Sequence, residues 1–246
     1  MKETIYTIPI NDAFDQKCSC ALCDIENRIE NEEIEYALGP AMMEPDFRIN
    51  SNHNGFCKTH YSSLLKNSKA LPLALVLQTH IQQQSKDIFA EKVQKTSKSS
   101  FMKKKSDENM SAKKITEHIE NLNCNCIICE RTQKTMNRYF DNLIYIWKTE
   151  TDFRSKFASQ EGFCIPHFSK LLTYAMNGLN EKDFKEFYHI LLDIQESSMS
   201  RIYEDISAFT MLFDHNNKTV PSDNVKNSIR RSIKKISGLN CESDSE

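Results

Sequence analysis

Apolar residues recur along most of this chain at helical spacing. Phe184, Phe187, Leu191, Ile194, Ile202, Ile206 and Phe209 mark one face over 181–213, and Met136, Phe140, Leu143 and Trp147 mark another after residue 129. Ile25, Ile29 and Tyr36 keep a similar spacing among many charges, and a further helix is expected over about 72–95. Val225, Ile229, Ile233 and Ile236 predict a shorter helix over 223–237 that stops at Gly238. Leu64 with Leu65 and Leu171 with Leu172 follow two helix starts, the second with Pro166 in a first-turn position. His189, within EFYHILL, reads as a buried helix residue. Only the ETIYTIPI segment breaks the pattern. Its alternation reads as a short extended segment, which Pro9 would confine to a sheet edge. The expected fold class is mainly α.

Composition changes this picture at one point, the cysteines. The chain has 246 residues, a net charge of -2 and nine cysteines, eight of which fall in two similar sets. Cys18, Cys20, Cys23 and Cys57 form the first; Cys124, Cys126, Cys129 and Cys164 form the second. Laid over each other, CSCALC matches CNCIIC, EPDFR matches ETDFR, and GFCKTHYSSLL matches GFCIPHFSKLL, with one extra residue between the last two blocks. This internal repeat predicts two related helical halves. The expected division is 1–95 for the first half, 96–114 for a Ser/Lys-rich linker or loop, 115–215 for the second half, and 216–246 for a C-terminal helix and acidic tail.

The repeated sets have metal-ligand spacing. Each half offers a Cys-x-x-Cys pair and, about 33 residues later, a Cys-x-x-His pair, and zinc takes four such ligands in a tetrahedron. The expected ligands are Cys20, Cys23, Cys57 and His60 in one half and Cys126, Cys129, Cys164 and His167 in the other, one zinc to each. The spacing resembles a treble-clef zinc site, in which a turn supplies the first pair and a helix start the second. Cys18 and Cys124 are left as alternative ligands or redox thiols, and an iron–sulfur cluster held by four cysteines per half is a minor alternative against which the regular histidine argues. Gly55 and Gly162 each stand two positions before a ligand, where the backbone turns and approaches sulfur closely. Asp46 with Arg48 and Asp152 with Arg154 recur in both halves, as partners of the metal ligands or as a helix cap with an ion pair.

CxxC, LGPAMMEPDFR and NGFCKTHYSSLL, followed by CxxCE and GFCIPHFSKLL, resemble a bacterial, mainly clostridial, uncharacterised family, domain of unknown function 6062. The resemblance implies a bacterial, cytoplasmic protein with zinc-type motifs. It implies no activity.

No glycine-rich phosphate loop, serine nucleophile motif or paired-carboxylate constellation accompanies the cysteines, and a closed four-ligand zinc leaves no position for substrate. The expectation is therefore a non-enzymatic interaction or regulatory module with two structural metal sites and a protein partner. The alternative is a thiol-based redox switch or oxidoreductase that uses Cys18 and Cys124. An acidic stretch from Asp24 to Asp46 and the absence of a basic helix beside the ligands argue against nucleic acid. The longest apolar run, ALPLALVL, is too short to span a membrane, and no export signal is apparent, which points to a cytoplasmic protein.

Overall fold

The computed structural model describes residues 4–16, 18–67, 69–90, 106–214 and 220–239. Among them there is no strand. The chain divides into two compact units that are not consecutive halves: residues 1–28 with 135–246 form one, and 29–134 form the other. The divisions fall inside helix α2 (Ala21–Ala37) and inside helix α7 (Ile127–Thr149).

The first unit opens with α1 (Thr4–Asp15), where an extended segment was expected. Tyr6, Ile10 and Phe14 lie four apart, which is one helical face. Tyr6 meets Tyr139 edge-on at 5.1 Å, while Ile10 and Phe14 are fully buried. That packing outweighs the β-branched propensity of the segment and the N–H that Pro9 lacks. The rest of the unit is the start of α2, the C-terminal part of α7, α8 (Thr151–Ala158), α9 (Ile165–Gly178), α10 (Glu181–Met211), the short α11 (Asp223–Lys226) and α12 (Ser228–Ser237). Asn180 caps α10 by accepting from the Asp183 N–H at 2.9 Å. The core is largely aromatic. Phe157 lies 5.5 Å from Phe163 and 5.1 Å from Phe187, and Trp147 meets Phe187 edge-on at 5.1 Å.

Helix α12 ends at Gly238, whose φ of 74° gives the left-handed stop. Its orientation is not the one its isoleucines suggest. Ser228 and Lys235 are buried, while Ile229, Ile233 and Ile236 are 46%, 42% and 62% exposed. The helix is held by polar contacts: Lys235 Nζ donates to the Phe163 carbonyl at 2.8 Å, and Arg231 pairs with Asp205. His189 is on a helix, as expected, but exposed rather than buried.

In the second unit, the end of α2 leads through a 3-10 turn (Pro40–Met43) to α3 (Pro45–Asn54), α4 (Lys58–Lys66), α5 (Ala70–Ile88), α6 (Ser106–Cys124) and the start of α7. The expected linker is helical from Ser106 on; Lys and Glu are good helix formers, so Lys-rich composition alone does not mark a loop. Residues 96–105 of it lie outside the described residues. The core here is mostly aliphatic: Ile34, Leu38, Leu64, Leu73, Val76, Ile127 and Ile128 pack with Phe47 and Phe56. Helices α3 and α5 are also joined by polar contacts. His80 Nδ1 and Gln84 Nε2 both donate to the Asn52 carbonyl, at 2.9 and 2.7 Å, satisfying one of the carbonyls that the end of α3 leaves free.

Candidate metal centres

Each unit contains one group of three cysteines and a histidine whose ligand atoms all lie within 4.8 Å of one another, so each could hold a metal ion. The eight residues are those the spacing indicates. Their pairing is crossed. In the first unit Cys20 and Cys23 meet Cys164 and His167; in the second, Cys57 and His60 meet Cys126 and Cys129. The expected sets, Cys20–Cys23 with Cys57–His60 and Cys126–Cys129 with Cys164–His167, do not form. The physical reason is helix length and packing: α2 leaves its own Cys-x-x-Cys pair behind in the first unit and enters the second, and α7 does the reverse.

All four ligand pairs sit at helix starts. Cys57 and Cys164 are the N-cap residues of α4 and α9, with His60 and His167 in the first turns. Cys20 and Cys126 immediately precede α2 and α7, with Cys23 and Cys129 in their first turns. A treble clef would take its first pair from a turn; here both pairs face the positive end of a helix, which favours thiolate. The His167 N–H, for example, points at Cys164 Sγ from 3.4 Å.

In the first group, His167 Nδ1 lies 3.5, 3.4 and 3.2 Å from the sulfurs of Cys20, Cys23 and Cys164, and the sulfurs of Cys23 and Cys164 are 3.5 Å apart. In the second, His60 Nδ1 lies 3.2, 3.2 and 3.3 Å from those of Cys57, Cys126 and Cys129, and Cys57 is 3.8 Å from Cys129. No pair of described cysteines is bonded. Both imidazoles thus turn Nδ1 toward sulfur and Nε2 away.

The outward nitrogens find carboxylates. Glu30 Oε1 is 2.6 Å from Nε2 of His60, and Glu26 Oε2 is 3.3 Å from Nε2 of His167. A carboxylate there fixes the ring orientation and raises the basicity of the other nitrogen. These two glutamates were not identified from the sequence. A signal existed: Cys23, Glu26 and Glu30 follow an i, i+3, i+7 spacing on one helix face. Asp46, Arg48, Asp152 and Arg154 do not contact the donor groups. Arg48 donates to the Leu75 carbonyl at 2.9 Å and to Thr79 at 2.6 Å; Arg154 donates to the Trp147 carbonyl at 2.9 Å, lies over the Trp147 ring and pairs with Glu186. Asp46 and Asp152 are first-turn acids of α3 and α8.

Within each group the thiols and the imidazole shift one another's protonation. Hydrogen bonds from the Cys20 and Cys23 thiols, working against burial and joined by His167, hold Cys164 far below the usual thiol range, while its hydrogen bond to Cys164 pushes Cys23 up. Burial opposes a charged ring at His167, yet Cys164 and Cys20 push it up to about 12. In the second group burial is likewise overcome: His60 rises to about 10 beside Cys126, and Cys126 falls to about 6 beside His60. A metal would displace these protons.

The two glycines have separate reasons. Gly55 has φ 62°, and a Cβ there would lie 3.0 Å from the His80 ring. Gly162 has φ 140°; a Cβ would run into Ser198 Oγ and lie 2.6 Å from Lys235 Nζ. The atoms nearest an added side chain are those of His80 and Tyr61 at Gly55 and of Ser198 and Lys235 at Gly162, not sulfur, so it is close packing of other side chains that excludes one. The spare cysteines stand outside both groups. Cys18 is half-buried, and burial with a hydrogen bond to Asp24 pushes its thiol up to about 12; Cys124 is exposed at the end of α6.

Among the described residues no helix is long and apolar enough to cross a membrane. No curated protein and no solved structure matches the chain. The paired Cys-x-x-Cys and Gly-Phe-Cys-x-x-His blocks, now seen as two donor groups, lie inside a match of residues 1–243 to the model of a family of unknown function, DUF6062, and the chain belongs to that family.

Proposed function

We propose that the protein is a non-enzymatic interaction or regulatory module in which one structural zinc holds each helical unit together. The observation that carries this reading is the completeness of each donor group: three sulfurs and one nitrogen, gathered within 4.8 Å, fill a tetrahedron and leave no position for substrate. Zinc suits the dimensions. Bonds of about 2.3 Å to sulfur and about 2.0–2.1 Å to nitrogen imply edges of roughly 3.8 Å between sulfurs and roughly 3.6 Å between sulfur and nitrogen. One sulfur pair in each group, Cys23–Cys164 at 3.5 Å and Cys57–Cys129 at 3.8 Å, and the six sulfur–nitrogen separations of 3.2–3.5 Å fall close to these values. Three thiolates and a histidine also favour zinc over a four-cysteine iron–sulfur cluster.

A protein partner is the second part of the proposal. Ile229, Ile233 and Ile236 form an outward apolar row on α12, and Leu71, Leu75 and Ile81 are exposed on α5, surfaces that suit contact with another protein. A cytoplasmic setting goes with unbridged thiols. The likeness of the two groups supports an origin by internal duplication.

Metal analysis of protein purified without added metal should return two zincs per chain, and chelation should abolish much of the helical circular dichroism. Iron with visible absorbance, or unchanged helicity after complete metal removal, would defeat the proposal.

A further inference from the structure

The two donor groups have the same ligands but not the same cover. In the first unit all four ligands are buried; in the second Cys57 is half-buried and Cys129 is exposed. The cover of the first group comes from α12 and the residue that ends it. Lys235 Nζ, on a side chain buried inside the unit, donates to the carbonyl of Phe163, the residue before Cys164. Lys234 Nζ stands 3.7 Å from Asp24, the residue after Cys23. The Gly238 carbonyl lies 3.9 Å from Cys23 Sγ, and a Cβ on Gly238 would touch Cys164 Sγ at 3.4 Å. The C-terminal helix therefore closes over both ligand pairs of its group. In the second unit the contact beside this turn is made by backbone and one residue earlier: the Ile127 N–H donates to the carbonyl of Gly55, two residues before Cys57, at 3.2 Å. Among the described residues of that unit, no helix shields Cys129.

A metal leaves a four-ligand site by losing one ligand at a time, and an incoming chelator or electrophile must reach the sulfur that lets go. Three ligands of the second group are wholly or partly shielded, and one stands in water. We propose that the second group is an exchangeable metal site that opens through Cys129 to competing metal ligands and thiol-reactive electrophiles, while α12 locks the metal of the first group in place. This inference rests on the reading that both groups hold zinc. It assigns them different duties: the first is a permanent staple, and the second is a site where metal can be delivered or withdrawn.

The test uses the full chain with Cys18→Ser and Cys124→Ser, which silences two thiols outside the donor groups. Zinc content is measured first; a value other than two per chain defeats the zinc reading itself. The loaded protein is then mixed with excess 4-(2-pyridylazo)resorcinol and release is followed by absorbance. The expected trace has two phases of one zinc each, their rates separated by about tenfold or more, equivalent to about 1.4 kcal/mol of protection. Cys129→Ala should remove the fast phase, and Lys235→Met should accelerate the slow phase alone. To separate exposure from any folding defect of Cys129→Ala, the unmutated sites are also mapped with iodoacetamide: the Cys129 sulfur gains the carbamidomethyl group, iodide leaves, and the zinc loses that ligand. Peptide mass analysis should find Cys129 modified before Cys20, Cys23 and Cys164. A single release rate for both zincs, a fast phase that persists in Cys129→Ala, or modification of the first group ahead of Cys129 would overturn the proposal.

Discussion

The first unit has a largely aromatic core and a buried lysine at the turn before Cys164, whereas the core of the second unit is mostly aliphatic. The ligand chemistry alone would give two equal sites. What differs is the material packed around each glycine-containing turn: Gln195 and Lys235 hold the N–H and carbonyl of Phe163 in one, and Ile127 and His80 border Gly55 in the other. Local motifs decide which atoms can bind a metal. Non-local packing decides how each motif is paired and protected.

The largest expected effect concerns that pairing. A structural zinc contributes on the order of 10 kcal/mol to folding of its site, so losing one ligand pair should cost a whole metal. Cys23→Ala with Cys164→Ala removes ligands from one group and should leave one zinc per chain, bound in the second unit. Cys23→Ala with Cys57→Ala touches both groups and should leave none. Plasma mass spectrometry of the two double variants reads the result, and the reverse pattern would restore the same-half pairing. Trp147, the sole tryptophan, is fully buried in the first unit, so its emission should shift to the red in the first double variant relative to the unmutated chain.

A smaller contrast separates the glycines. Gly162→Ala places a methyl group against Ser198 and Lys235, and overpacking of this kind costs about 1–3 kcal/mol. Gly55→Ala brings a methyl group to 3.0 Å from the His80 ring, a less severe approach, and carries the cost of a left-handed backbone, about 1–2 kcal/mol. Both positions have a positive φ, so urea denaturation of the loaded protein should rank Gly162→Ala as the less stable because of its closer contacts; the opposite order would mean that packing does not decide between them.

The carboxylates give the finest comparison. Glu30→Gln and Glu26→Gln should each weaken zinc binding by about 10-fold, within the range for a partner of a ligating histidine. The loss should be larger for Glu30, whose oxygen sits at 2.6 Å rather than 3.3 Å from its imidazole. Competition titrations with a chelator of known affinity would decide it, and equal affinity to the unmutated protein would reduce both contacts to incidental ion pairs.

Much of this arrangement could be read in the chain. The eight residues that gather into the two donor groups follow from spacing because each pair is local, and the helix with Pro166 in its first turn and the one ending at Gly238 follow from backbone rules. Pairing was illegible, since same-half and crossed sites use identical spacings and only the course of α2 and α7 distinguishes them. Periodicity also misled where polar contacts oriented an element: α12 turns Lys235 inward to a carbonyl and leaves its isoleucines outside. At α1, the four-residue spacing of Tyr6, Ile10 and Phe14 was masked by intervening isoleucines that read as alternation.

Crossed pairing also sets an order of assembly during synthesis. Contacts within the second group span 66, 69 and 72 residues of chain, whereas those joining the Cys20–Cys23 pair to Cys164 and His167 span 141, 144 and 147. At about 5–20 residues per second, the N-terminal thiol pair leaves the ribosome some 7–30 s before its histidine does. Cys57 and His60 emerge during that wait, and they are a ligand pair of the right chemistry but the wrong destination. If zinc loads during synthesis, the inner group can be completed while the Cys20–Cys23 pair still lacks its partners.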